Sequence, residues 1–109
     1  MNKLIYVCSP YRGDIETNAK NAREYCRRIV AEGNIPIAPH LLFPQFMDDN
    51  IDAERERAME MNLEIMRHSD EVRVFGGQIS IGMWQEMKAA KELGVPVVQE
   101  GNKIGRAHV

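Results

Sequence analysis

Glu86, near the start of a predicted helix, is the strongest candidate for chemistry in this sequence. It follows Gly82 by four residues, and Ser80 suits the N-cap of the helix that contains both. Helical side chains lean towards the helix N-terminus, so the Glu86 carboxylate is expected to point towards the turn of Gly82. The missing side chain at Gly82 then leaves a hollow for a sugar carbon, beside a helix end that favours anions. In the alternative interpretation, Gly82 only permits close approach of helix and sheet, and Glu86 is an exposed surface residue.

Two predicted loops carry further polar residues. The turn after the first strand contains Ser9, Tyr11, Arg12 and Gly13. Its backbone N–H groups, Ser9 and Arg12 are suited to surround a sugar or phosphate, with Tyr11 covering a ring; otherwise this is a structural turn with a solvated arginine. His40 follows the second strand and either hydrogen-bonds a ligand or is an ordinary loop residue.

Asn62 interrupts an apolar stripe on the second predicted helix, over 51–68. Met59, Leu63 and Met66 lie at helical spacing, and Asn62 falls among them. A buried amide must find hydrogen-bond partners or cost about 1 to 3 kcal/mol. Asn62 is therefore expected either to hydrogen-bond within the core or to face a binding crevice.

Apolar patterning predicts alternating strands and helices. Strands are expected over 4–8, 35–38, 71–75 and 95–98, helices over 15–32, 51–68 and 80–93, and a loop over 39–50. This alternation predicts an α/β three-layer sandwich with a parallel sheet of four to five strands. If the strand order is 2-1-3-4, ligands bind where the order reverses, between loops 9–14 and 76–80.

Length and composition set the class of protein. The 109 residues are expected to form one α/β domain over 1–100 with a polar tail over 101–109. A net charge of −2 argues against binding to a nucleic acid polymer, which requires surplus Lys and Arg, although one small anionic ligand is compatible with it. No apolar run reaches the roughly 18 to 20 residues of a membrane span, and a cytoplasmic protein is expected. Cys8 and Cys26 are expected to be buried thiols, and no metal site or cofactor is predicted.

Four motifs occur together in order: Tyr6 to Gly13, Pro39-His40, Asp70 to Gly76, and Ser80 to Glu86. This combination resembles the nucleoside 2-deoxyribosyltransferase-like superfamily, in particular a small phage and bacterial branch, and is similar to the deoxynucleoside-monophosphate N-glycosidases. The resemblance implies a flavodoxin-like fold, a homodimer or higher assembly, a nucleoside or nucleoside monophosphate substrate, and Glu86 as nucleophile. It also implies that Ser80 and Arg12 contact a 5′-phosphate or hydroxyl, Tyr11 the sugar or base, and His40 the ligand rim.

One position departs from the pattern of this superfamily. Catalytic relatives place an aspartate that protonates the leaving base where this chain has Asn62, and an amide cannot act as a general acid. A shift of one helical turn in the alignment would place Glu64 there instead. The expected activity is an N-glycosidase or deoxyribosyltransferase; the alternatives are a non-catalytic nucleotide-binding protein and an enzyme that cleaves NAD or a nucleotide sugar. Because about 100 structured residues are few to enclose a nucleotide, a second subunit is expected to close the site, with 101–109 a candidate arm.

Overall fold

The computed structural model describes residues 2–100, which form a parallel sheet between two layers of helices. Its strands are β1 (Leu4–Cys8), β2 (Ile35–Ile37), β3 (Glu71–Val74) and β4 (Val97–Gln99). They lie in the order β2-β1-β3-β4, and each neighbouring pair is parallel. The predicted α/β three-layer sandwich and the strand order 2-1-3-4 are confirmed. The predicted tail over 101–109 lies outside the described residues.

The helices connect successive strands. They are α1 (Ile15–Ala31), α2 (Pro39–Leu42), α3 (Asp52–Arg67) and α4 (Ile81–Leu93), and a 3₁₀ turn over Phe43–Gln45 follows α2. The expectation of a loop from residue 39 onward is wrong at its start, because Pro39 opens α2. Proline suits a first helical position, where its fixed φ is helical and its missing N–H has no partner to lose. No helix within residues 2–100 has the length and apolar character needed to cross a bilayer.

The central strand β1 supplies apolar side chains to both faces of the sheet. Tyr6 and Cys8 pack on one face with side chains from α3 and α4, including Met66 and Met83. A second cluster lies on the other face, where Tyr25 and Ile29 of α1 pack with Ile5, Val7, Ala38 and Phe75. Burial of both faces explains why β1 reads as an uninterrupted apolar run.

A crevice follows from this topology. The chain crosses from β1 to β2 in one direction and returns past β1 to β3 in the other, so α1 and α3 cover opposite faces. The loops that leave β1 and β3 therefore diverge at the carboxyl ends of these adjacent strands. The N-terminus of α4 comes directly after one of these loops.

Candidate functional site

The Glu86 carboxylate lies against the central strand. Its side chain is partly buried in the second turn of α4, and the Tyr6 hydroxyl donates a hydrogen bond to Glu86 Oε2. Burial raises the pKa of Glu86, whereas hydrogen bonds from Tyr6 and Cys8 lower it, and the net direction is upward. This carboxyl group is held in one orientation by a fully buried side chain of β1.

Tyr6 is the partner that the sequence pattern missed. The apolar run Leu4–Cys8 predicts a buried strand, and within this pattern Tyr6 counts only as one more apolar residue. The available signal was its hydroxyl, because a buried tyrosine normally requires a hydrogen-bond partner. Two residues further on, the Cys8 thiol faces the same side and lies 3.7 Å from the carbonyl oxygen of Met83. Burial and the nearby Glu86 raise the pKa of Cys8.

The N-terminus of α4 opens towards the crevice. Ser80 Oγ accepts a hydrogen bond from the Met83 amide at 3.2 Å, which confirms the predicted N-cap. The Ser80 carbonyl oxygen accepts from the Trp84 amide at 2.9 Å. Of the first four amides of the helix, those of Ile81 and Gly82 therefore have no hydrogen-bond acceptor within residues 2–100.

Gly82 borders open space. A Cβ added there would have one neighbouring heavy atom within 4 Å, Ser80 Oγ at 4.0 Å. Close approach of helix to sheet therefore does not explain this glycine. The hollow opens beside Ser80, and no atom of the Glu86 side chain lies within 4 Å of the added Cβ.

Three of the other predicted residues contact one another on the α1 and α2 side of the sheet edge. Ser9 Oγ and His40 Nε2 are 2.9 Å apart, and the Tyr11 ring meets the His40 ring edge-on with centroids 5.9 Å apart. Burial lowers the pKa of His40 to about 4, so the imidazole is uncharged at neutral pH. This cluster can hydrogen-bond and cover a ligand but adds no positive charge.

The loop after β1 is fixed by local hydrogen bonds. The Asn18 amide donates to the carbonyl oxygens of Tyr11 and Arg12, at 3.0 and 3.1 Å. Gly13 has φ +95, in the left-handed region that favours glycine. The exposed Arg12 guanidinium forms an ion pair with Asp49 at 2.5 Å. An exposed pair of this kind contributes little to stability, so Arg12 can exchange Asp49 for a ligand at low cost.

Asn62 lies on the inward side of α3 with an unsatisfied polar atom. Its Oδ1 is buried and has no hydrogen-bond partner among residues 2–100. One turn later, Met66 is fully buried in the cluster that contains Tyr6 and Cys8. Asn62 was expected either to hydrogen-bond within the core or to face a binding crevice. Its Oδ1 forms no hydrogen bond within the described core. No hydrogen bond joins Asn62 to Glu86.

The predicted apolar stripe of α3 is only partly buried. Met66 is buried, but Met59 and Leu63 are 54% and 42% exposed. Glu64, the alternative acid, is also on the exposed side, where it contacts His68 at 3.0 Å. It therefore does not occupy a position equivalent to Asn62.

A cavity of about 350 Å³ lies on the other face of the sheet. It is lined by Pro10, by Asn18, Asn21 and Tyr25 of α1, and by residues 76–78. Glu86 is not part of its lining, so we place the candidate site by the oriented carboxylate rather than by this cavity. Within residues 2–100, no group of three His, Cys, Asp or Glu side chains is arranged to hold a metal ion.

Solved structures with a similar fold include two deoxyribosyltransferases. The 2-deoxyribosyltransferase of Bacillus psychrosaccharolyticus has a TM-score of 0.67 and 20% identity, with 88% of this chain and 70% of that chain covered. The 2-desoxiribosyltransferase of Leishmania mexicana has a TM-score of 0.67 and 16% identity, with coverage of 91% and 64%. This chain thus spans roughly two thirds of their lengths. The likeness establishes a nucleoside 2-deoxyribosyltransferase-like fold.

The sequence comparisons identify a family of unknown function. No protein with a curated description matches the sequence. Residues 3–100 match a family model over nearly the whole chain, and the chain therefore belongs to DUF7768, a domain of unknown function.

Proposed function

We propose that this protein is an N-glycosidase or 2-deoxyribosyltransferase that cleaves the N-glycosidic bond of a nucleoside or nucleoside monophosphate, with Glu86 as the nucleophile. The observation that carries the proposal is the partly buried Glu86 carboxyl group, oriented by Tyr6 and set near the open N-terminus of α4. The likeness to two deoxyribosyltransferases supports the same reaction class.

The reaction begins when a Glu86 oxygen attacks C1′ of the sugar. The C1′–N bond breaks through an oxocarbenium-like transition state, and a glycosyl ester forms on Glu86. Water then releases the sugar in a hydrolase, or a second base takes it in a transferase. The Tyr6 hydrogen bond fixes the direction of attack and stabilises the ionised carboxylate that must make it.

Substrate binding uses the two sides of the crevice. The amides of Ile81 and Gly82, with Ser80, bind a 5′-phosphate or 5′-hydroxyl, and Arg12 joins them after leaving Asp49. On the opposite side, the cluster of Ser9, Tyr11 and His40 contacts the sugar or base, and Gly13 allows the turn that presents it. A net charge of −2 is compatible with binding one phosphate through these contacts.

Base release tests the proposal directly. Purified protein is incubated with each deoxynucleoside and its monophosphate, and free base is measured by chromatography. Glu86→Gln should lower the rate by ~10³-fold or more, as expected when a nucleophile is removed. Glu92→Gln, which makes the same charge change at an exposed position of α4, should retain the activity. Absence of base release from every substrate, or equal rates in both variants, would contradict the mechanism.

A second candidate function is nucleotide binding without turnover, in a sensor or sequestering protein. Asn62 favours it, because this amide supplies no proton to a leaving base. In that case calorimetry should detect tight nucleotide binding, and Asn62→Asp should restore no base release. Turnover by the wild-type protein would exclude this alternative.

A further inference from the structure

Among residues 2–100, no side chain that contacts Glu86 is suited to protonate a leaving base. Within residues 2–100, the titratable groups that act on the pKa of Glu86 are Tyr6 and Cys8. The Tyr6 hydroxyl already donates to Glu86, and burial raises the pKa of both Tyr6 and Cys8. His40 is uncharged at neutral pH and is bonded to Ser9. Elsewhere in the described chain, Glu64 is exposed and contacts His68, Asn62 carries a neutral amide, and Asp49 is paired with Arg12.

The Glu86 carboxyl group has no paired cation within residues 2–100. No arginine or lysine within the described residues forms an ion pair with Glu86, and Arg12 is bound to Asp49. A positively charged group on the substrate would supply the missing partner, because an opposite charge within a few ångströms favours the ionised carboxylate. Such a substrate would generate the reactive form of Glu86 as it binds.

From these two observations we infer that the preferred substrates are N-glycosides of a cationic base, a ring nitrogen quaternised by the sugar or by an alkyl group, as in a pyridinium riboside or an N7-alkylated purine nucleoside. This inference rests on the proposed function of Glu86. Because a cationic base does not have to accept a proton when it leaves, its release requires no general acid.

The bond changes balance without a general acid. Glu86 attacks C1′ as the C1′–N bond breaks, and the bonding pair passes to the ring nitrogen and neutralises the positive charge of the base. The base departs neutral, and the sugar remains as an ester of Glu86. Water then attacks C1′, which regenerates the carboxylate and releases one proton to solvent. A neutral nucleoside would instead expel its base as an anion.

Matched substrates test the inference. The first pair is 7-methyl-2′-deoxyguanosine and 2′-deoxyguanosine; the second is nicotinamide riboside and its reduced, uncharged form. Each is offered with and without a 5′-phosphate, and uncatalysed base release is subtracted. We expect Glu86-dependent release from the cationic member of a pair at a kcat/KM at least about 100-fold above that of the neutral member, the lower range of what a general acid contributes.

The Asn62→Asp variant supplies an independent readout. A carboxylic acid at this position should speed release of the neutral base by ~10-fold or more and leave release of the cationic base within twofold of wild type. Circular dichroism and thermal unfolding check that the variant folds. If it does not fold, the comparison of the cationic and neutral substrates with the wild-type protein still tests the inference.

The possible failures are distinguishable. Equal or faster Glu86-dependent cleavage of the neutral substrate by the wild type overturns the inference and leaves the proposed function intact. Cleavage of neither substrate, or cleavage that persists in Glu86→Gln, overturns both.

Discussion

At the scale of single residues, the contact between Tyr6 and Glu86 is expected to set the chemistry of the proposed reaction. Burial favours the neutral carboxyl group, and the hydrogen bond from Tyr6 opposes this effect. Because only the ionised form can attack a sugar carbon, the hydroxyl increases the active fraction of Glu86 as well as fixing its direction. We therefore expect this contact to govern both the rate of the proposed reaction and its dependence on pH.

Replacement of Tyr6 by Phe should move the acidic limb of the pH–rate profile to higher pH. The donor that lowers the pKa of Glu86 is lost, so the carboxylate ionises at a higher pH, and kcat/KM should fall roughly 10-fold or more near neutrality. Tyr25→Phe is the matched control, since Tyr25 is buried against Phe75 on the opposite face of the sheet. An unshifted profile in Tyr6→Phe would show that this contact does not tune Glu86.

Glu86 should also reduce stability at neutral pH. Its folded pKa is raised above the unfolded value, so the folded state holds the proton more tightly, and stability falls as pH rises above the unfolded pKa of about 4.3. Glu86→Gln should therefore unfold at a higher temperature than wild type at pH 7 to 8 and match it near pH 4. Thermal unfolding across this range measures the difference. A Gln variant that is less stable at neutral pH would contradict this prediction; Glu92→Gln should show no such pH dependence.

At the scale of secondary structure, α4 carries both the carboxylate and the open amides of the candidate site. Replacement of Gly82 by Ala should separate stability from function. Alanine is favoured over glycine in a helix by about 1 kcal/mol, and its Cβ meets nothing closer than Ser80 Oγ at 4.0 Å. Thermal stability should therefore rise while kcat/KM falls at least ~10-fold, because the methyl group fills the space expected to hold the sugar.

Gln85→Ala, at an exposed position of the same helix, is the control for Gly82→Ala and should leave kcat/KM unchanged. Unfolding temperature and base release are measured on the same preparations. Unchanged kcat/KM in Gly82→Ala would remove this space from the site.

The elements that the sequence could predict are those long enough to show a period. The strand β1 and the cap at Ser80 followed from an apolar run and a capping residue, whereas the strand order, which apolar spacing does not determine, entered as an assumption that the structure confirms. The four-residue α2 was missed because it is little longer than one helical turn. The Tyr6 contact was missed for another reason: it joins residues 80 positions apart, and a strand pattern carries no information about which helix its side chains meet.

At the scale of the whole molecule, several large apolar side chains are exposed on α3 and α4, around the candidate site. Ile81 and Trp84 at the start of α4 are 80% and 57% exposed, and Met59 and Leu63 are exposed on the neighbouring α3. Burial of such side chains is favourable at roughly 25 cal/mol per Å² of apolar surface. This exposure supports the hypothesis that a second copy covers these helices and completes the site.

Replacement of Trp84 by Glu should weaken that assembly and ligand binding together. A charge in an apolar contact is costly to bury, so sedimentation should shift the variant towards monomer, and calorimetry should show the Kd for the ligand rising ~10-fold or more. Val30→Glu places the same charge at an exposed apolar position of α1, distant in sequence from the site, and should change neither quantity. Assembly and affinity must fall in parallel if the second copy contributes to the site. Dilution of the wild type below the dissociation constant of the assembly should then reproduce the effect of the substitution. A dilute wild-type monomer that keeps full affinity would show instead that one chain holds the ligand alone.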